Sequence, residues 1–272
     1  MGFPAENTQR VRQLVSRLGL TRALRELALE AFPEIGAPFE GARKVLCVQP
    51  HPDDCEFGAG GTLADLADKG VEVVYLTMTD GSMGASDPSL DPRKLAETRR
   101  REQEEAAKVI GVTRIHWLDY PDTQLPYTPE ARSRVIRAIR EEKPDVVLAP
   151  DPWLMYEAHP DHRITGWLVS EAVMLSPLPL VLRDLPPHLV AAVVYYYTAR
   201  PNYFHDVSGT FTRKIEALSK HRSQFEATWP VTVQQLETLA AAFGAAIGSE
   251  MAEAFRVIPH MLLHAVPLSE IV

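Results

Sequence analysis

The feature that most constrains this chain is a repeated alternation of short apolar runs with longer amphipathic stretches. Lys44–Val48, Val71–Thr77, Arg114–Leu118, Asp145–Ala149 and Leu189–Tyr197 are runs rich in β-formers and too short for helices. Between them lie helical patterns over Gly61–Lys69, Arg93–Ile110, Pro129–Lys143 and the stretch after His159. A glycine-rich loop is expected before the first of these helices. Strands alternating with helices imply βαβ units and a mainly parallel sheet covered on both faces. Right-handed crossovers then give a Rossmann-like, doubly wound α/β fold.

The flanks differ. Glu6–Phe32 reads as helical, with a break at Gly19 and Thr21. Near the C-terminus, Phe211–Phe225 and Val231–Ile247 read as helices, and Phe255–Ile258 and Met261–Val266 as extended pieces. With no internal repeat and no long linker, residues 1–272 are expected to form one domain. Residues 1–40 make a helical extension and 205–272 a C-terminal helical/β extension.

Composition narrows the classes of function. A formal net charge of −8 argues against the basic footprint of a nucleic-acid binder. No run approaches the roughly 18 apolar residues of a membrane span. Arg10, Arg12 and Arg17 interrupt any signal-peptide core, and two cysteines make no disulfide framework. A cytoplasmic protein is the expectation.

In such a sheet ligands bind outside the carboxyl ends of the strands. The first strand is followed there by Gln49-Pro-His51-Pro-Asp53-Asp54, and the second by Thr79-Asp80-Gly81. The third is followed by Asp119-Tyr-Pro-Asp122, and the fourth by Pro150-Asp151, continuing to His159-Pro-Asp161-His162. One edge thus gathers three histidines and several acids. Imidazole and carboxylate are both good zinc ligands, and a catalytic zinc takes three protein ligands with the fourth position open. His51 and Asp54 form the sharpest pair, and His162 is the natural third ligand. Asp53 is left as a carboxylate able to take a proton from water. His159 could ligate as well, but two histidines and one carboxylate suffice. It reads better as a cationic imidazole that stabilises an oxyanion, with Asp161 orienting it.

Plainer readings stand beside these. His-Pro segments form turns and aspartates cap helices; two His-Pro-Asp segments, each after a strand, weaken that account. Arg99 lies three residues before Glu102, which favours a solvated ion pair. Trp153, Tyr156 and Trp117 could floor a sugar site, although Trp117 suits the core. His264 alone reads as a core or surface histidine. Gly58-Ala-Gly60-Gly61 is similar to a dinucleotide fingerprint, but Leu63 breaks the pattern and the glycines start too late after the strand.

The segment Gln49-Pro-His-Pro-Asp-Asp-Cys-Glu-Phe-Gly-Ala-Gly-Gly61, with Ala158-His-Pro-Asp-His162 and Arg99-Arg-Arg-Glu102, resembles the LmbE/PIG-L family of zinc-dependent de-N-acetylases. The likeness runs from about Val45 to the C-terminus. Met78-Thr-Asp-Gly81, Trp117-Leu-Asp-Tyr120, Ala149-Pro-Asp-Pro-Trp153, Lys220-His-Arg-Ser-Gln224 and Phe255-Arg-Val-Ile-Pro259 make it most similar to the diacetylchitobiose deacetylases of chitin catabolism. The resemblance implies His51, Asp54 and His162 as ligands of one Zn2+, Asp53 as general base and His159 as oxyanion stabiliser. It implies Arg99 and Asp122 as substrate-contacting or site-shaping residues, against the solvated reading of Arg99. It implies that His264 reaches a neighbouring subunit's site, with the 205–272 extension in the contacts of a trimer-based hexamer. The substrate it implies is a small amino sugar, N,N′-diacetylchitobiose or N-acetylglucosamine. The alternatives are another N-acetylglucosamine conjugate, of the mycothiol- or bacillithiol-precursor kind, and a non-catalytic sugar- or metal-binding relative.

Overall fold

The computed structural model describes residues 5–272. Seven strands form one sheet: β1 Lys44–Gln49, β2 Glu72–Thr79, β3 Arg114–Tyr120, β4 Val146–Pro150, β5 Ala192–Tyr196, β6 Tyr203–Asp206 and β7 Ala252–Pro259. Their order is β3-β2-β1-β4-β5-β7-β6. The first five are parallel, and β7 pairs antiparallel with both β5 and β6. This is the expected Rossmann-like sheet with an antiparallel edge supplied by the C-terminal segment.

The helices before the sheet are α1 Ala5–Leu18 and α2 Leu20–Ala31. They part at Gly19, whose φ of 79° suits glycine. Helices α3 Asp54–Asp68, α4 Pro92–Ile110, α5 Pro129–Glu142 and α6 Pro160–Leu175 are the crossovers, and α7 Phe211–Leu218, α8 Arg222–Phe225 and α9 Trp229–Ile247 follow. Side chains alternate along each strand, so Val45 and Cys47 pack under α3 and α4 while Leu46 and Val48 pack under α5 and α6. The crossovers change face between β1 and β4. Neighbouring strands there diverge in their connections, which opens a crevice above their carboxyl ends.

Several boundaries depart from expectation. The glycine-rich segment is no loop: α3 starts at Asp54 and runs through it. A Cβ at Gly58 would lie 2.4 Å from Tyr196 Cδ2, and one at Gly61 would lie 2.8 Å from Val207 Cβ. These glycines therefore let a helix approach β5 and the C-terminal segment closely. Met261–Val266 is not extended; β7 ends at Pro259 and a 3-10 turn covers His260–Leu262. The edge strand β6 has no counterpart in the sequence reading.

Candidate active site

The two His-Pro segments meet at the β1/β4 crevice because both are helix starts. His159 is the N-cap of α6, Pro160 takes the first helical position and His162 sits in the first turn. The ring of His159 accepts a hydrogen bond through Nδ1 from the Asp161 backbone N–H at 3.3 Å. Opposite, Asp53 occupies the N-cap position of α3 and Asp54 opens the helix. Asp53 has φ 124°, a strained conformation for a residue with a Cβ. Its carboxylate makes no cap bond. It turns instead toward Arg99, whose Nη2 lies 3.1 Å from Oδ2.

His51, Asp54 and His162 converge. His51 Nδ1 is 3.3 Å from Asp54 Oδ2, and His162 Nε2 is 3.5 Å from Asp54 Oδ1. One ligand atom of each of the three lies within 4.8 Å of the others. For metal–ligand bonds of 2.0–2.2 Å, a tetrahedral site has ligand–ligand edges of about 3.4 Å. The cluster thus has the donor types and spacing of a three-ligand metal site.

Carboxylates lie on the far side of His51. Its Nε2 is 3.2 Å from Asp122 Oδ1 and 3.4 Å from Asp161 Oδ2. That is the arrangement by which acids orient a metal-binding imidazole. Burial disfavours charge on His51, but Asp122, Asp161 and Asp54 outweigh it and hold its pKa well above the ordinary value. Burial also opposes the charge on Asp122, yet His51 and the Met83 N–H bring it down to about 2. For Asp54 the neighbouring His162 and His51 overcome burial and hold the carboxyl far below the usual range. Asp53 goes the other way: burial lifts it to about 6, against the pull of Arg99.

One expectation changes. Asp161 does not orient the His159 ring with its carboxylate, which accepts from the backbone N–H groups of Thr123 and Leu125. Burial, then His51 and His162, lowers the pKa of His159. With Nδ1 accepting from the Asp161 N–H, Nε2 is the nitrogen left to donate.

Arg99 is buried, not solvated, and ties three segments together. It donates to Gly81 O at 2.9 Å and Pro52 O at 2.8 Å besides its pair with Asp53. Glu102, its expected partner, instead accepts from Ser223 N–H and Oγ. Asp122 is buried beside His51 and also accepts from Met83 N–H at 3.0 Å. With Gln224 these residues line a polar cavity of about 270 Å³. His264 is exposed in a bend after β7 and lies outside that cavity. Trp153 and Tyr156 are exposed and also outside it, and Trp117 stacks under Arg100, 4.1 Å from its ring centre.

Three site residues escaped the sequence reading. Tyr197, just past β5, donates to Asp54 Oδ1 at 3.1 Å and stacks on His162; its place at a strand end was the available signal. Glu157 Oε2 lies 3.2 Å from His162 Nδ1, while Oε1 accepts from His159 N–H. Gln103 is fully buried and accepts from Asp53 N–H at 2.9 Å and from Gln49 Nε2 at 2.8 Å; its own amide donates to Glu56.

Comparison with known proteins agrees with this geometry. The family model for GlcNAc-PI de-N-acetylase, PIG-L, matches residues 46–173. The chain is similar to a diacetylchitobiose deacetylase of Thermococcus kodakarensis, 45% identical over 88% of this chain and 92% of that protein. It is similar to a probable N-acetyl-alpha-D-glucosaminyl L-malate deacetylase 2 of Bacillus anthracis, 32% identical over 67% of this chain and 82% of that one. The structure is similar to that of N,N′-diacetylchitobiose deacetylase from Pyrococcus horikoshii with its inhibitor MPG. The TM-score is 0.87 at 43% identity, over 92% of this chain and 97% of that chain. Likeness at that identity over nearly the whole of both chains, on the segment that builds the His/Asp cluster, places the sequence in one group: the chain belongs to the PIG-L family of de-N-acetylases.

Proposed function

We propose that the protein is a zinc-dependent hydrolase that removes the N-acetyl group from an N-acetylglucosamine-containing substrate, N,N′-diacetylchitobiose or N-acetylglucosamine. Its kinship makes it an enzyme acting on N-acetyl amides. The observation that carries the chemistry is Asp53, a carboxylate withdrawn from helix capping and set beside a three-residue metal-type cluster.

On this reading His51, Asp54 and His162 hold one zinc ion. When bound, zinc polarises the acetyl carbonyl and acidifies the attacking water. Asp53 takes the water's proton and returns it to the leaving amine, and its burial favours holding that proton in between. Arg99 anchors Asp53 and the Pro52 carbonyl, fixing the base in direction. His159 donates from Nε2 to the developing oxyanion. Asp122 and Asp161 keep the His51 ring turned toward the cluster. Arg99, Asp122 and Gln224 offer polar contacts to a sugar in the 270 Å³ cavity.

Metal analysis paired with acetate release from diacetylchitobiose, before and after chelation, tests the reading. Zinc near one per chain, with turnover lost on chelation and restored by zinc, is expected. Turnover that survives complete metal removal contradicts it. The likeness to the Bacillus anthracis protein keeps a second substrate in view. A panel adding N-acetylglucosaminyl-malate and -inositol separates the conjugates by kcat/KM.

We also read residues 1–272 as one cytoplasmic domain that assembles as a trimer-based hexamer, with the 205–272 extension in the contacts and His264 serving a neighbouring site. Supporting this, Trp153, Met155, Tyr156 and Met261 are large apolar side chains left exposed, by 62%, 76%, 91% and 69%. Among the described residues no helix is long and apolar enough to cross a membrane. Mixing inactive His264→Ala subunits with inactive Asp53→Asn subunits tests the arrangement. Partial recovery of activity is expected; none contradicts it.

A further inference from the structure

The His/Asp cluster stands in the common wall of two cavities of opposite character. One is the polar cavity of about 270 Å³ containing Arg99, Asp122 and Gln224. The other, of about 680 Å³, shares Asp53, Asp54 and His162 with it. The rest of its lining is mainly apolar: Phe57 of α3, Tyr197, Phe225 of α8, and Leu236, Leu239 and Phe243 of α9. The charged pair Lys214 and Glu253 in its lining is already satisfied internally. Lys214 Nζ lies 2.5 Å from Glu253 Oε1, and Glu253 Oε2 accepts from Thr62 N–H and Oγ1. The second cavity therefore offers a ligand apolar surface and little free polarity.

An amide held at the cluster has two substituents. A sugar matches the polar side, because its hydroxyls need partners. The acyl group is left facing the apolar side. A water-sized group, comparable to a methyl, takes about 30 Å³. An acetyl methyl would cover only a small part of this open apolar groove.

We propose that the enzyme also hydrolyses N-acylated glucosamine units whose acyl chain is longer than acetyl, with the chain lying along Phe57, Phe225, Leu236 and Phe243. The inference rests on the amide-hydrolase reading above, and it takes the α9 face at this cavity to lie outside the subunit contacts of the 205–272 extension. The chemistry is unchanged: the water oxygen joins the acyl carbon, the C–N bond breaks, and a fatty carboxylate and a free amine leave. Each methylene buried in the cavity strengthens binding by about fourfold.

The test uses the metal-loaded full chain and chitobiose carrying N-acetyl, N-butyryl or N-hexanoyl groups, with amine release as the readout. The butyryl and hexanoyl compounds should turn over within about tenfold of the acetyl compound in kcat/KM, with KM falling as the chain lengthens. Leu239→Trp, on the exposed rim, should lower the hexanoyl-to-acetyl ratio of kcat/KM at least tenfold. Ala240→Leu, deeper in the same wall, should lower it as well. Amine from the acetyl compound alone overturns this inference and leaves the deacetylase reading standing. So does a ratio unchanged in both variants, or a selective loss of acetylated chitobiose relative to N-acetylglucosamine, which would assign the cavity to the second sugar. No amine from any compound overturns both.

Discussion

Asp53, half-buried, pairs with the buried Arg99 at 3.1 Å, a contact that holds a strained residue at the start of α3 and turns its carboxylate away from the helix. An aspartate at an N-cap position ordinarily bonds the helix's free N–H groups. Here Asp53 is the cluster's one carboxylate not engaged by an imidazole, and burial lifts it to about 6 despite the guanidinium beside it.

Arg99 makes contacts that a lysine cannot copy, since one ammonium cannot reach Gly81 O, Pro52 O and Asp53 in a fixed plane. Arg99→Lys should lower kcat by about 10- to 100-fold, the equivalent of one charged hydrogen bond. Metal content should stay at the wild-type level. Steady-state kinetics with metal analysis checks this.

Gln103 holds the backbone N–H of Asp53 and thereby supports its positive φ. Gln103→Leu should reduce kcat by at least tenfold while KM moves little, because the base and not the sugar contacts is displaced. A change confined to KM would assign Gln103 to substrate binding instead. Gln103→Glu keeps the accepting oxygen and should recover part of the loss.

A cation that binds only the folded chain stabilises it by mass action, by about 2.7 kcal/mol at a hundredfold excess over Kd. Chelation should therefore lower Tm by several degrees. His162→Ala should abolish most of that metal-dependent shift. Calorimetry with and without added zinc checks it.

Far from the site, at the amino ends of β1–β3, Glu142 gathers Lys44, Arg114 and His116 at 3.1, 2.9 and 2.6 Å. Burial raises the Glu142 pKa, but His116 and Lys44 outweigh it and the net shift is downward. Its folded pKa thus lies below the unfolded one. The stabilisation is complete above the unfolded value and is lost as pH falls toward the folded one. Glu142→Gln should flatten the acid limb of a Tm–pH curve and leave kcat near wild type.

The parallel sheet and the metal-type cluster were legible because both leave local signs: apolar runs of strand length, and histidines and acids just past them. Asp54 and His162 both follow that rule. Arg99 was legible only by resemblance. Its spacing to Glu102 pointed outward, whereas the packing of α4 against the β1 and β2 loops turns it in. Gly58–Gly61 looked like a loop because glycine weakens helices locally, and the tight approach of Tyr196 and Val207 is a tertiary fact. Gln103 carries no mark of its own, and β6 is four residues long between turn-forming stretches.

The central claim is that Asp53 is the base beside a metal held by other residues. Asp53→Asn, assayed for zinc content and for acetate release from diacetylchitobiose, tests it most directly. The account predicts zinc near one per chain with kcat reduced at least about a hundredfold. Near-normal turnover with zinc bound would contradict it.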